Sequence, residues 1–199
     1  MKHLYMYRMT NDSGLAPCVD CGLLTLSCCK GGQIRNGSVV NTGLRHLIGS
    51  GKMVDYSSEA VYIMGTYKGK MLYLAKVTDV ITMEEYFSGM SDGRTDDIYS
   101  LKGNTLVRNN WLRDKHVHVD EDRVIKDIAG KYVLLSDNYM YLGEDAVNID
   151  IVSKYNPKYQ ETKHYTGDAV SKIVEECLKY NDGKKHMPTT PIIKSGGCK

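Results

Sequence analysis

The chain has 199 residues, 42% of them hydrophobic and 25% charged, the balance of an ordinary globular protein long enough to bury a core without metal or disulfide support. Its formal net charge of +2 removes any general electrostatic argument for binding long nucleic acid. The opening MKHLYMYRMT alternates too strictly, with too little continuous apolar length, for a signal peptide or membrane anchor, so the reading expects a cytoplasmic protein with no membrane partner and six reduced cysteines.

Taken in chain order, residues 2–9 alternate as a strand, with Leu4, Met6 and Arg8 on one side and His3, Tyr5 and Tyr7 on the other. Asn11 to Gly14 is turn chemistry, and Pro17 keeps the next segment extended. Leu23 to Ser27 reads as a buried strand running into Cys28-Cys29-Lys30-Gly31-Gly32, and Ser38 to Thr42 as a further short strand. Glu59 to Thr66 and Met71 to Val77 form a hairpin around Tyr67-Lys68-Gly69-Lys70. Thr82 and Glu85 have capping-box spacing, which predicts a short helix through Tyr86 and Phe87.

From Ser88 to about Asp122 the pattern is that of a long loop, a length often associated with binding. Lys131 to Leu135 and Tyr139 to Leu142 read as strands. Asp168 to Tyr180 is the clearest helix, with Val170, Ile173, Val174, Cys177 and Leu178 on one face and Thr166 or Asp168 at its cap. Residues 181–199 offer nothing to bury and are expected to form a mobile tail after a single domain over 1–180. The fold class is therefore α+β: a curved, mostly antiparallel sheet or partly closed β-barrel, with a short helix and a C-terminal helix packed on it.

Reactive groups concentrate between Asp12 and Arg35. Cys18, Cys21, Cys28 and Cys29 invite a zinc reading, but neighbouring cysteines on an extended chain point to opposite faces, and no metal or other cofactor is assigned. Cys28 or Cys29, beside Lys30 and near Arg35, has the cationic setting of a nucleophilic thiolate, with His116 or Asp97 to handle protons. Lys30, Gly31, Gly32 and Arg35 also form a phosphate-holding set of backbone N–H groups and two cations. No GxxxxGK[ST] or GxGxxG unit is present, which disfavours the standard triphosphate and dinucleotide folds. His116 and His118 share one side of an extended segment but lack a third metal ligand. Fifteen tyrosines against one Phe and one Trp suit either sheet packing or stacking on a flat ligand.

Asp12-x-Gly14-x-Ala16-Pro17, Leu24 to Lys30 with Ile34-Arg35, Gly37 to Val40 with Thr42-Gly43, Leu72 to Thr78, Tyr86, Arg94, Asp96 to Tyr99, and Val133 to Ser136 with Tyr139 to Gly143 stand in an ordered series. Over about residues 1–150 this series resembles nucleotide modification associated domain 2, a phage and bacterial domain; Gly31 and Ser38 depart from that pattern. The resemblance implies a place in systems that make, remove or recognise altered nucleobases. It brings Asp12, Pro17, Thr42, Arg94 and Tyr99 into the nucleotide-binding set with Lys30 and Arg35.

Two classes of function follow. In the first, the protein binds a nucleotide or modified base, free or within DNA: aromatic rings stack on the base, Lys30 and Arg35 meet phosphate, and Asp97 or Asp12 reads a ring N–H. In the second, it is an enzyme on a nucleobase or nucleotide, with Cys28 or Cys29 as nucleophile and Asp97 or His116 as acid–base groups. A third reading is a phage counter-defence protein that sequesters a nucleotide signal. Self-association as a homo-oligomer stays open.

Overall fold

A computed structural model describes residues 1–110, 121–184 and 186–188. Trp111, His116 and His118, and the tail beyond residue 188, lie outside the described residues. The chain divides into two compact units: unit 1 takes the described parts of Met1–Ser13, Val54–Asp79 and Ser136–Pro191, and unit 2 takes Gly14–Met53 and the described part of Val80–Leu135. The class is α+β, and among the described residues the sheets do not close into a barrel.

Unit 1 is built on a five-stranded sheet. Strand β1 (Lys2–Met9) lies in its interior, parallel to β6 (Ala60–Tyr67) and antiparallel to β13 (Thr162–Thr166). β6 continues antiparallel into β7 (Lys70–Lys76), which pairs with β12 (Asn138–Tyr141). The alternation in β1 therefore separates two buried faces, since His3 through Tyr7 are all buried. Leu4 and Met6 face a core completed by Val152 of α4 (Asp150–Tyr155) and by Val170, Ile173, Val174 and Cys177 of α5 (Asp168–Leu178). On the other face the Tyr7 and Tyr73 hydroxyls hydrogen-bond one another, their rings edge to face.

The apolar stripe of α5 lies where its spacing predicts, but its N-cap is Gly167, with no side-chain cap bond, so neither Thr166 nor Asp168 plays that part. At residues 186 and 187, within the segment expected to be a tail, two contacts are made to the 144–145 turn. Met187 O accepts the Glu144 N–H at 3.3 Å, and His186 Nδ1 stands 2.9 Å from Asp145 Oδ2.

Unit 2 carries a four-stranded sheet in the order β2 (Cys18–Asp20), β3 (Leu23–Leu26), β11 (Tyr132–Ser136), β8 (Asp79–Thr82). Its core gathers Leu15, Cys28, Met83, Tyr86, Phe87, Ile98, Tyr99 and Val133. Two hairpins stand on this frame. The first joins β4 (Gly32–Arg35) to β5 (Ser38–Thr42) through Asn36 and Gly37, both at positive φ, the two-residue turn that Asn-Gly favours. The second, β9 (Tyr99–Lys102) with β10 (Thr105–Arg108), occupies part of the stretch expected to be a loop.

Helices complete the described part of unit 2. Helix α1 (Leu44–Gly49) follows the first hairpin. Thr82 closes a full capping box with Glu85 at the start of α2 (Met83–Glu85), which runs on into a π-helical turn over Tyr86–Met90. Helix α3 (Glu121–Ile128) turns Val124 and Ile128 toward the core. Strands β11 and β12, adjacent in sequence, belong to different sheets.

Candidate functional site

The segment after β3 makes a tight hinge. Cys29 and Lys30 lie at φ 54° and 46°, and Gly32 at φ 141°. Two successive non-glycine residues in the left-handed region cost about 1–3 kcal/mol each, and such strain persists only where the surroundings over-determine it. Here they do. Asp127 Oδ1, on α3, accepts the Cys29 N–H at 2.6 Å. Arg45, fully buried on α1, donates from Nε to Cys29 O at 2.8 Å and from Nη1 to Ser27 O at 2.9 Å and Tyr132 O at 2.8 Å. Its Nη2 donates to Asp127 O. The Arg45 N–H reaches Lys30 O at 3.4 Å, and the Gly43 N–H reaches Gly31 O at 3.0 Å. Gly31 is required by proximity: a Cβ there would lie 1.6 Å from the Lys126 carbonyl oxygen.

Asp127 also joins this hinge to the aspartate–tyrosine loop. Its Oδ2 accepts the Tyr99 hydroxyl at 3.0 Å, so one carboxylate holds the Cys29 backbone and the Tyr99 ring together. Burial raises the Tyr99 phenol well above its ordinary value, with the Asp127 charge adding to the effect, and the ring is a neutral donor.

Lys30 leaves the hinge as a half-buried cation. Burial lowers its pKa, and the ammonium of Lys126 pushes the same way, while the neighbouring thiols Cys29 and Cys28 oppose. An anion beside Lys30 would favour its charged form, against the burial and the Lys126 charge that disfavour it. Arg35 and Thr42 are exposed on the ribbon that follows, Thr42 paired opposite Gly32 and Arg35 opposite Ser38 at the tip. Three residue steps run along the strand from Gly32 to Arg35, about 10 Å of chain, so Arg35 stands at the far end of the strand from the hinge.

The remaining sequence candidates separate by burial. Arg94 is buried, and its guanidinium donates to the Tyr86 hydroxyl at 2.8 Å, Asp20 O at 2.7 Å, Leu23 O at 3.1 Å and Thr25 Oγ1 at 3.2 Å. It pairs with Asp96 at 3.2 Å, and Asp96 Oδ2 takes the Thr25 and Ser27 hydroxyls, each at 2.6 Å. This closed network fixes β2 and β3 to the loop before β9, so Arg94 works inside the unit. Asp97 is half-buried and accepts the Ser91 hydroxyl at 2.9 Å. Pro17 is buried after a cis Ala16–Pro17 bond. Asp12 belongs to unit 1, where its Oδ2 accepts the Tyr141 hydroxyl at 2.6 Å.

Of the two adjacent thiols, Cys28 is buried, directs its S–H at Leu15 O at 3.6 Å and is raised well above the ordinary thiol range, first by its contact with Cys29 and then by burial. Cys29 is half-buried. Cys18, Cys28, Cys29 and Cys177 are free, but Cys21 is disulfide-bonded, which corrects the expectation of six reduced thiols. Among the described residues no group of three or more His, Cys, Asp or Glu could hold a metal ion, and no helix is long and apolar enough to cross a membrane.

Arg45 and Asp127, which hold the site, are missing from the sequence candidates. Asp127 had a legible signal: Val124 and Ile128 mark the inward face of α3, and Asp127, three residues from Val124, sits on it. A carboxylate on an apolar face is rarely buried without a partner. Arg45 lies in a six-residue helix too short for any periodicity to show its inward face.

A family model described as nucleotide modification associated domain 2 matches residues 1–194. No curated protein and no solved structure matches the chain.

Proposed function

The chain belongs to the nucleotide modification associated domain 2 family, and from that footing we propose that it binds a nucleotide or modified nucleobase within a nucleic-acid modification system, with Lys30 as the phosphate contact. The observation that carries the reading is the hinge itself. Two strained residues are clamped by Arg45 and Asp127, and the side chain they present is a lysine whose charge is disfavoured by burial and by Lys126. Strain held in place by two buried charged side chains, with a half-buried cation beside it, is the arrangement expected of a preorganised anion contact. The exposed ribbon that follows, with Arg35 and Thr42, extends the polar surface along which a base or a second phosphate would lie.

Equilibrium binding to a panel of canonical and modified nucleoside phosphates tests this reading. A charge-assisted hydrogen bond contributes about 1.5–3 kcal/mol, so Lys30→Ala should weaken binding by roughly ten- to a hundred-fold with an unchanged circular dichroism spectrum. Equal affinity for every ligand in wild type and variant would sink the proposal.

An enzymatic reading rests on one further observation, the half-buried Cys29 thiol beside the Lys30 ammonium. In that reading Cys29, and not the enclosed Cys28, is the nucleophile. Turnover of a nucleotide that disappears in Cys29→Ser and survives in Cys28→Ser would select it.

A further inference from the structure

Away from the hinge, unit 1 carries a histidine pair on the face of its sheet opposite α5. His3 on β1 is buried, and His164 on β13 is exposed. His164 lies flat on Tyr5, ring centres 4.3 Å apart and planes 4° apart, and its Nε2 stands 3.0 Å from His3 Nδ1. His3 Nε2 is 3.2 Å from Glu59 Oε1, an electrostatic contact too oblique for a well-aligned hydrogen bond.

The Glu59 charge favours the neutral tautomer of His3 that carries its proton on Nε2, which leaves His3 Nδ1 a lone pair. His164 Nε2–H must then be the donor in the pair, which leaves His164 Nδ1 with its lone pair at the surface. The bond that ties β13 to β1 through these rings exists only while one of the two facing nitrogens is unprotonated. We propose that His3 and His164 form a proton-sensitive latch: uptake of a proton by both rings removes the hydrogen bond, sets two imidazolium ions face to face, and releases the edge strand Thr162–Thr166 from β1.

The groups around the pair decide the direction. On the histidine face they are Glu59, the Tyr5 phenol and the Met1 amino group, the last 3.6 Å from Glu59. Glu59 is the one carboxylate among these three, and it stabilises a single positive charge at His3. The opposite face is covered by the apolar side of α5, and Lys163, which precedes His164, pairs with Glu161 at 3.7 Å. Burial and the neighbouring His3 both hold the His164 pKa below its ordinary value of 6.5. Folding thus favours neutral His164. The stabilisation it gives is complete above that value and is lost as pH falls below it. Among the described residues β13 pairs on one side only, so the strand it would release is an edge.

The latch lies in unit 1 and does not depend on the phosphate reading of the hinge. Hydrogen exchange of the full chain between pH 7.5 and 5, corrected for intrinsic rates, tests it. In wild type, exchange across 162–166 should rise as pH falls below 6.5, by up to about tenfold per pH unit for each linked proton, while β6 stays flat. His164→Gln, on the exposed side, keeps a neutral donor and should abolish that slope while retaining protection at pH 7.5. Nitrogen shifts at pH 7.5 should show both rings protonated at Nε2. A wild-type slope no steeper in 162–166 than in 60–67, a slope that persists in His164→Gln, or nitrogen shifts showing both facing nitrogens protonated at pH 7.5 would each overturn the latch.

Discussion

Arg94 and Asp96 show how much of the candidate site is internal support. Both side chains are almost fully enclosed, at 4% and 0% exposure, and each is saturated by neighbours whose only common feature is position: the hydroxyls of Thr25 on β3 and Ser27 just after it, one phenol from the π-helical turn, two main-chain carbonyls. Removing one partner leaves the other charge buried without compensation, which typically costs about 3–5 kcal/mol, whereas replacing both by apolar groups is far milder. Asp96→Ala should therefore lower the urea midpoint of unfolding by an amount equivalent to about 3–5 kcal/mol, and Arg94→Met with Asp96→Leu should recover much of the loss. If Asp96→Ala unfolds at the wild-type midpoint, the network is ornamental. Tyrosine use follows the same logic: Tyr5, Tyr7, Tyr73, Tyr86, Tyr99 and Tyr141 are all buried, and the hydroxyls of Tyr86, Tyr99 and Tyr141 each bond a carboxylate.

Between elements the decisive contact is the approach of α3 to the hinge. The Lys126 carbonyl sits where a Cβ on residue 31 would be, 1.6 Å away, and backbone cannot swing aside as a side chain does. Gly31→Ala must push α3 off β4 and with it Asp127, which holds both Cys29 and Tyr99. Overpacking of this kind costs about 1–3 kcal/mol or more. The expected outcome is a less stable protein in which Lys30 loses its orientation, measured as a lower melting temperature together with nucleotide binding as weak as that of Lys30→Ala. Wild-type binding by Gly31→Ala would mean that the clamp does not position the cation. The element readings explain why this contact was hidden. The β4–β5 hairpin announces itself through Asn36-Gly37, yet glycines 31 and 32 look like turn residues in the sequence and only packing shows Gly31 to be a contact residue.

At the scale of the whole chain, each unit is assembled from separated segments, and the first thirteen residues share a sheet with residues beyond 136. β1 has β6 on one side and β13 on the other, so unit 1 cannot be completed before its C-terminal part is made. A chain that stops after Leu135 keeps the described segments of unit 2 but lacks β12, β13, α4 and α5. Its β1 would face solvent along one edge, and Leu4 and Met6 would lose the helices that cover them. We expect the amides of residues 4–7 to exchange without protection in that truncated chain; native-like protection there would show that β1, β6 and β7 suffice.

What the sequence by itself determined is local and periodic: the strands of β1, β3, β6 and β7, the Thr82 capping box, the apolar face of α5 and the α+β class, because alternation, helical spacing and capping need only neighbours within a few residues. The family membership was legible too, through an ordered series of short motifs. The tertiary structure decided what long-range contact alone can decide. It buried both faces of β1, enclosed Arg94 and Tyr99, closed off Cys28, and brought Asp127, 98 residues from Cys29, onto the hinge that carries Lys30. A buried charge is tolerated only where distant partners converge on it, and the identity of those partners is a property of the fold.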